Sequence, residues 1–259
     1  MTDTDPDERS PATEASESAT ELSPLLTALR ETEERHNGDA VAGSTREREQ
    51  LLRAVAEAVV TEPAAAVDGE PFDASVGGLA RDLGREAQRT VARALSAAAA
   101  DRADTIAREI DTVRPLLDTD DPVVAAWVAG ALGRVAETHA DAVAPAAMDL
   151  AALAEHENRT VRHNAVEALA AVAQECPGAV APAADALRPL LSANDVAIQH
   201  NATGVFGVLA ATHPDAVTPA AETIADLRSH GERAVQQVAA GTLARLAQER
   251  SDVVESVTD

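Results

Sequence analysis

Residues 157–193 read ENRTVRHNAVEALAAVAQECPGAVAPAADALRPLLSA, and this stretch decides the fold because its pattern recurs along the chain. When the sequence is shifted by 37 positions, Pro145, Pro182 and Pro219 fall on one column. Valine occupies a second column in the same three copies, and a large apolar residue occupies a third. A fixed period of this length is typical of a stack of repeated supersecondary units rather than one closed globule.

Each copy contains two segments with helical periodicity, joined by a turn at 176–178. The first segment carries an apolar stripe at spacings of 4, 3, 1 and 3, formed by Val161, Ala165, Ala168, Leu169 and Val172. The second segment carries a similar stripe, with Pro182 in its first turn, where a missing N–H matters least. A single hairpin cannot bury both stripes, so the hairpins must stack on their neighbours. We expect an all-α, right-handed α-solenoid of about five to six helical hairpins.

Composition and register divide the chain into three regions. Residues 1–21 predict a disordered acidic tail, because they hold too little apolar surface to offset the entropy of ordering. Residues 22–83 predict N-terminal helices and a divergent first repeat. Residues 84–259 predict regular repeats at 84–119, 120–156, 157–193, 194–230 and 231–259, of which the last is a truncated cap.

The start of two repeats resembles the first helix of HEAT repeats. Asp120-Asp121-Pro122-Val123-Val124 precedes Ala131-Leu132-Gly133, and Asn158 to Arg162 precedes Glu167-Ala168-Leu169. The resemblance covers roughly residues 85–255 and implies an armadillo-like α-solenoid whose second helices line a concave surface used for partner proteins. The arginine of the family's pattern is present only as Arg162, so the ladder that it often forms with the acidic residue is expected to be mostly absent.

The chain is strongly acidic, with 44 Asp and Glu residues against 21 basic residues and a formal net charge of −23. Every basic residue is arginine. This balance resembles the acidic surfaces of halophilic archaea, which accumulate salt, and suggests a haloarchaeal type of protein. We expect the charge to serve solvation mainly, with recognition of a basic partner as the alternative. Because a negative field repels phosphate, nucleic-acid binding is not expected.

The sequence also bears on the location of the protein. The N-terminal residues lack the basic and apolar segments of a secretory signal. No apolar run approaches the length of about 18 residues that a membrane span requires. Cys176 is the only cysteine, so no intramolecular disulfide forms. We expect a cytoplasmic monomer that does not engage a membrane.

Two columns contain residues that often bind metals. His163 and His200 lie one repeat apart, but neighbouring helices stand about 8–10 Å apart, too far for both side chains to ligate one ion. His139, Cys176 and His213 share the turn column and lack the close pair spacing of zinc sites. No motif for a nucleophile, a phosphate or a dinucleotide occurs. We therefore expect no metal, no cofactor and no enzymatic activity.

A neighbouring polar residue has a structural interpretation. Asn164 follows His163 and shares its column with Trp127 and Val238, so it is partly buried. We expect its side chain to bond a backbone carbonyl of the adjacent repeat. His163 itself shares a face with Glu167, opposite the apolar stripe, and is expected to be solvated.

Three other functions stay open as alternatives. HEAT-like deoxyhypusine hydroxylases use several His-Glu pairs to hold two irons, and only His156-Glu157 is such a pair here. Bilin lyase-like proteins share related repeats, although no chromophore site is identifiable. Nucleic-acid handling of the kind seen in HEAT-like glycosylases requires a basic track, for which the candidates are Arg81, Arg85, Arg89 and Arg93.

The candidate binding surface is a stripe on the second segment of each repeat. Positions 181, 185, 188 and 192 and their equivalents share one helical face. We expect the stacked stripes to form a shallow groove with Met148 at its centre and charged residues around it, namely Asp111, Arg114, Glu155, Asp185, Arg188 and Glu222. Methionine and arginine are enriched at interfaces. The leading hypothesis is a non-enzymatic scaffold that binds a partner protein along this concave face, and an ordinary solvated helix face is the alternative.

Overall fold

The computed structural model describes residues 85–258, and in this part of the chain every regular element is helical. The tail expected at 1–21, the helices expected at 22–83 and Arg81 of the basic track lie outside the described residues. The long helices are α1 (Arg85–Ala98), α4 (Pro122–Val143), α6 (Arg159–Glu175), α9 (Val196–Thr212) and α12 (Arg233–Glu249).

Shorter elements connect the long helices, and we call them the second-half segments. The short α-helices are α2 (Ala103–Arg108), α3 (Ile110–Val113), α5 (Ala147–Leu153), α7 (Pro177–Val180), α8 (Ala184–Leu187), α10 (Pro214–Val217), α11 (Ala221–Asp226) and, after the last long helix, α13 (Ser251–Thr258). The 3₁₀ segments are Arg114–Leu117, Ala144–Ala146, Ala181–Ala183, Arg188–Ser192, Thr218–Ala220 and Leu227–Ser229.

The long helices repeat with the period of the sequence. Their first residues, from Arg85 to Arg233, follow one another at intervals of 37 residues. The turns that follow them repeat as well, with φ between −142° and −124° and ψ between 32° and 65° at Arg102, His139, Cys176, His213 and Arg250. At His139 this turn is a kink inside α4. The period therefore describes backbone geometry as well as residue type.

Polar side chains begin three of the long helices. Asp121, Asn158 and Asp195 each accept a hydrogen bond from the backbone N–H two residues ahead. Such N-caps satisfy donors that a helix start leaves unpaired, and each contributes about 1 kcal/mol. The register of the stack is therefore marked by the same kind of residue in successive repeats.

The second half of each repeat is not a continuous α-helix, which corrects the expectation of one amphipathic second helix. Between 177 and 192 the chain alternates between α-helical and 3₁₀ turns. Pro182 and Pro189 have no N–H to donate to the carbonyl four residues back, so the α-helical ladder is interrupted. The same alternation surrounds Pro145 and Pro219. Because a 3₁₀ turn has three residues, the side chains that share a face differ from those of an α-helix.

The core lies between adjacent long helices and the second-half segments beneath them. Leu132, Leu169 and Phe206 occupy one column and are fully buried in successive repeats. Each such side chain stabilises the fold by about 1.5–3 kcal/mol through burial alone. Small residues set the spacing between helices, since a Cβ added to Gly133 would lie 3.4 Å from Cα of Ala168. Residues from neighbouring repeats therefore complete one another's core.

Polar bonds also join adjacent repeats. The Nδ2 of Asn164 donates to the backbone carbonyl of Ala126 at 2.7 Å, so the predicted inter-repeat bond is confirmed. Two repeat boundaries further along, Thr242 donates its hydroxyl to the carbonyl of Thr203 at 3.3 Å. Because these buried backbone oxygens would otherwise lose hydrogen bonds to water, the contacts favour one alignment of the helices.

Two arginine–aspartate pairs link the starts of adjacent long helices, α1 with α4 and α6 with α9, and neither uses the column of the expected arginine. The Nε of Arg89 donates to Asp121 Oδ2 at 2.7 Å, and the Nε of Arg159 donates to Asp195. In the column of Arg162, the side chains donate to backbone carbonyls instead. Both pairs therefore use arginines at the start or in the second turn of the preceding long helix.

Among the described residues, Asp121 is the only carboxylate that is almost fully buried, with 3% of its surface exposed. Burial alone would raise the pKa of Asp121. Hydrogen bonds from Arg89 and from the N–H of Val123 outweigh burial, so the pKa is lowered below its ordinary value. The group is therefore ionised at neutral pH and favours the folded state.

The first prediction concerns Asp121→Asn, which keeps the N-cap and removes the charge. Since the folded pKa is lowered, the contribution of Asp121 is present above about pH 3.9 and is lost as the pH falls through the folded pKa. At neutral pH the variant should lose about 1–3 kcal/mol of unfolding free energy. Below about pH 4 its stability should fall less steeply than that of the wild type. Urea unfolding from pH 2 to 7 measures both effects, with exposed Asp185→Asn as the control; identical slopes in all three proteins would contradict the assignment.

The second prediction compares two glycines of α9. A Cβ added to Gly207 would lie 2.9 Å from Thr242 Oγ1, which hydrogen bonds hold in place, whereas a Cβ on Gly204 meets no atom within 4 Å. Gly207→Ala should therefore destabilise the protein by about 1–3 kcal/mol through overpacking. Gly204→Ala should stabilise it by about 0.5–1 kcal/mol through helix propensity. If the urea midpoints of the two variants shifted in the same direction, the close spacing between α9 and α12 at Gly207 would be contradicted.

Candidate partner-binding groove

A groove of about 580 Å³ opens between the second-half segments of two adjacent repeats. Pro115 and Leu117 form its apolar wall on one side, and Ala152 and Leu153 form it on the other. Its polar lining consists of Asp111, Arg114, Asp118, Thr119, Asp120 and Asp149. We call this set of residues the acidic groove.

The acidic groove carries four carboxylates and one guanidinium, a net charge of three negatives. The Nε of Arg114 donates to Asp149 across the repeat boundary. This hydrogen bond, followed by the charge attraction of Asp149, raises the pKa of Arg114, and the charge of Asp111 adds to the effect. Apolar walls beneath charges of one sign concentrate a field that attracts cations. The net negative charge of the lining therefore favours a positively charged ligand.

The structure brings two of the predicted binding residues into this groove, Asp111 and Arg114. Met148 lies one residue before Asp149 with 53% of its surface exposed, but it is not part of the lining. Of the predicted stripe, this groove includes Asp111, Arg114 and Asp118, and a continuous groove along every second segment stays a prediction.

The other predicted residues lie on the surface outside the acidic groove. Asp185 and Arg188 pair with each other at 3.4 Å between Oδ1 and Nη1, within their own repeat. Glu155 and Glu222 are exposed and are absent from the groove lining. Their part in binding stays a prediction.

Two carboxylates of the groove were missed by the sequence reasoning, namely Asp120 and Asp149, whereas Asp118 is the equivalent of position 192 in the predicted stripe. The 3₁₀ turns around Pro115 and Pro145 change the face on which these side chains lie. One signal was available. Arg114 and Asp149 have opposite charges and stand 35 residues apart, close to one period, which places them on neighbouring segments of the stack.

The histidines considered as metal ligands have other contacts. In the turn column, His139 Nε2 lies 2.8 Å from Asp104 Oδ1. The Nδ1 of His156 accepts a hydrogen bond from the N–H of Asn158 at 2.9 Å, so this nitrogen shapes the loop before α6. Within residues 85–258, no group of three or more His, Cys, Asp or Glu side chains is placed to hold a metal ion.

The basic track considered for nucleic acid is partly neutralised. The side chains of both Arg85 and Arg89 approach Asp121, at Nε to Oδ2 distances of 3.8 and 2.7 Å.

In the part of the chain that the structure describes, no helix is long and apolar enough to cross a membrane.

Comparisons with known proteins support the fold. Neither a protein-family model nor a curated protein matches the sequence. An engineered protein of known crystal structure is 26% identical, with a TM-score of 0.59 over 71% of this chain and 86% of its own. A computationally designed armadillo repeat protein for modular peptide recognition is 20% identical, with a TM-score of 0.61 over 70% and 86% of the two chains.

A second designed armadillo repeat protein was solved in complex with the peptide (KR)4. It is 18% identical to this chain, with a TM-score of 0.61 over 88% of this chain and 100% of its own. These likenesses, together with the repeating long helices, show an all-α, armadillo-like α-solenoid.

The third prediction is that the groove residues contribute little to folding. Arg114 and Asp149 are each partly exposed, so Arg114→Ala and Asp149→Ala should each cost less than about 1 kcal/mol. As a comparison, Asn164→Ala removes a bond between adjacent repeats and should cost about 1–2 kcal/mol. Urea unfolding of the three variants checks the order. If Asp149→Ala were as costly as Asn164→Ala, the ion pair would have to be assigned to the fold.

Proposed function

We propose that the protein is a non-enzymatic binding module whose acidic groove receives a cationic segment of a partner protein or peptide. The observation that carries this proposal is the excess of carboxylates over guanidinium groups along apolar walls formed by two repeats. Lysine and arginine side chains combine a charged head with an apolar stem, so they complement both features of the groove. The designed relative that holds a lysine–arginine peptide supports the same class of ligand on this fold.

The acidic composition bears on the conditions of binding. With no lysine and a net charge of −23, the protein suits a salt-rich cytoplasm, and we propose that its acidic surface maintains solvation there. In molar salt the Debye length is about 3 Å, so long-range attraction is nearly abolished. Binding then depends on direct ion pairs and apolar contact inside the groove. The location of a carboxylate inside the groove therefore affects the affinity more than the total charge of the protein does.

The fourth prediction tests whether carboxylates inside the groove contribute more to binding than carboxylates elsewhere. The probe is a fluorescein-labelled peptide of four Lys-Arg units, and the readout is fluorescence anisotropy at fixed salt. A triple variant in the groove, Asp111→Asn, Asp120→Asn and Asp149→Asn, removes three carboxylates. Three surface ion pairs contribute about 1.4 kcal/mol together, so affinity should fall about tenfold.

A matched variant separates groove binding from general charge attraction. Asp185→Asn, Glu222→Gln and Asp226→Asn make the same change in net charge at exposed positions outside the groove. This variant should keep the affinity of the wild type within about twofold, since distant charges are screened. Equal losses in the two triple variants would overturn the assignment to the acidic groove. A larger loss in the matched variant would favour the wider stripe that includes Asp185 and Glu222.

A further inference from the structure

A second cleft, of about 720 Å³, lies at the starts of the long helices α6 and α9, outside the acidic groove. Arg159 and His163 line it from α6, and Val196, His200 and Asn201 line it from α9. The cleft reaches α12 at Ala234. In a chain with twice as many acidic as basic residues, the polar part of this lining consists of one arginine, two histidines, two asparagines and one aspartate.

The carboxylate in the lining of this cleft is already occupied. Asp195 Oδ1 accepts hydrogen bonds from the backbone N–H groups of Ala197 and Ile198, and Oδ2 accepts from Arg159 Nε. These bonds, led by that from Arg159, lower the pKa of Asp195 against the effect of burial. Its side chain is only 12% exposed. Asp195 therefore positions Arg159 at the rim and offers little negative charge to a ligand.

The donors of the cleft are less fully used. A guanidinium has five N–H groups, and the pair with Asp195 is made through Nε of Arg159. His163 Nδ1 is buried and has no hydrogen-bond partner among the described residues. His163 Nε2 lies 3.8 Å from Oε2 of Glu167, a residue outside the cleft lining. In the next repeat, His200 Nδ1 lies 3.3 Å from Asn201 Oδ1. Nε2 of the same ring takes no part in this contact.

The cleft also exposes apolar surface. Val196 is 44% exposed and is, with Met148, one of the two exposed large apolar residues in the part of the chain described. Val196 belongs to the same lining as the guanidinium of Arg159 and the imidazole of His200. An apolar contact flanked by hydrogen-bond donors is the arrangement that fits the side chain of a glutamate, with its methylene stem and terminal carboxylate.

We propose that this cleft binds a carboxylate side chain from an acidic segment of a partner protein. Arg159 pairs with the carboxylate in the fork geometry that guanidinium groups favour. The Nε2–H tautomer of His200 donates to it as well, with the Asn201 amide turned so that its Nδ2 donates to His200 Nδ1. The stem of the bound residue packs on Val196. The negative charge of the rest of the protein does not prevent this contact, because in the molar salt proposed above the Debye length is about 3 Å and distant charges are screened.

The fifth prediction tests the cleft with a fluorescein-labelled peptide of three Glu-Asp units and a neutral peptide of three Gln-Asn units. Anisotropy is measured in molar salt, where long-range repulsion between the acidic protein and the acidic peptide is screened, and circular dichroism checks the helix content. The wild type should bind the acidic peptide and not the neutral one. The double variant Arg159→Gln, His200→Gln should bind it about tenfold more weakly, since two charged or polar donors are lost.

Two controls keep the result interpretable. Arg228→Gln, His213→Gln makes the same substitutions elsewhere and should bind as the wild type does. His200→Gln alone leaves the Arg159–Asp195 pair intact and should weaken binding of the acidic peptide about threefold. This single variant therefore tests the cleft separately from any change of structure in the double variant. Equal binding by cleft and control variants, or no preference of the wild type for the acidic peptide, would overturn the proposal. Binding of the Lys-Arg peptide is independent of these substitutions, so failure of the cleft leaves the acidic groove untouched.

Discussion

The structure depends on one constraint: a hairpin built from alanine, valine and leucine cannot bury its two apolar stripes unless another hairpin packs against it. Small residues make that packing close, as at Gly133 against Ala168. Close approach places polar groups of one repeat against the backbone of the next, as in the bond from Asn164 to Ala126. The same contact therefore supplies both the burial that stabilises the stack and the polar bonds that fix its alignment.

Stacking also explains why both candidate binding sites lie at repeat boundaries. The acidic groove joins Arg114 to Asp149, and the second cleft joins Arg159 to Asp195, each pair crossing from one repeat to the next. The two sites differ in the charged and polar groups that surround the ion pair. In the groove, further carboxylates surround one arginine. In the cleft, one occupied carboxylate positions an arginine beside two histidines. An ion pair across a repeat boundary is thus common to the two surfaces for which we propose opposite ligand preferences.

The sequence predicts the stack well because most residues at equivalent positions of successive repeats are buried to a similar extent. Leu132, Leu169 and Phe206 are recognisable as core, and Asn164 as an inter-repeat contact, from the register alone. The groove is harder to predict. The prolines convert the second segments into alternating α and 3₁₀ turns, so an α-helical face assigns Met148 to the centre and overlooks Asp149. The pairing of side chains from adjacent repeats depends on the distance between helices, which no single repeat encodes.

The most direct test of the central claim is the removal of one repeat, residues 157–193, followed by circular dichroism during urea unfolding. The excision joins His156 to Asn194 and places Asn201 where Asn164 was, so the stack should close over the gap. We expect a cooperatively unfolding protein with the same helix content per residue as the wild type, at a lower urea midpoint. Loss of helix in this variant, or full retention of helix after removal of only 157–175, would contradict a stack of 37-residue units.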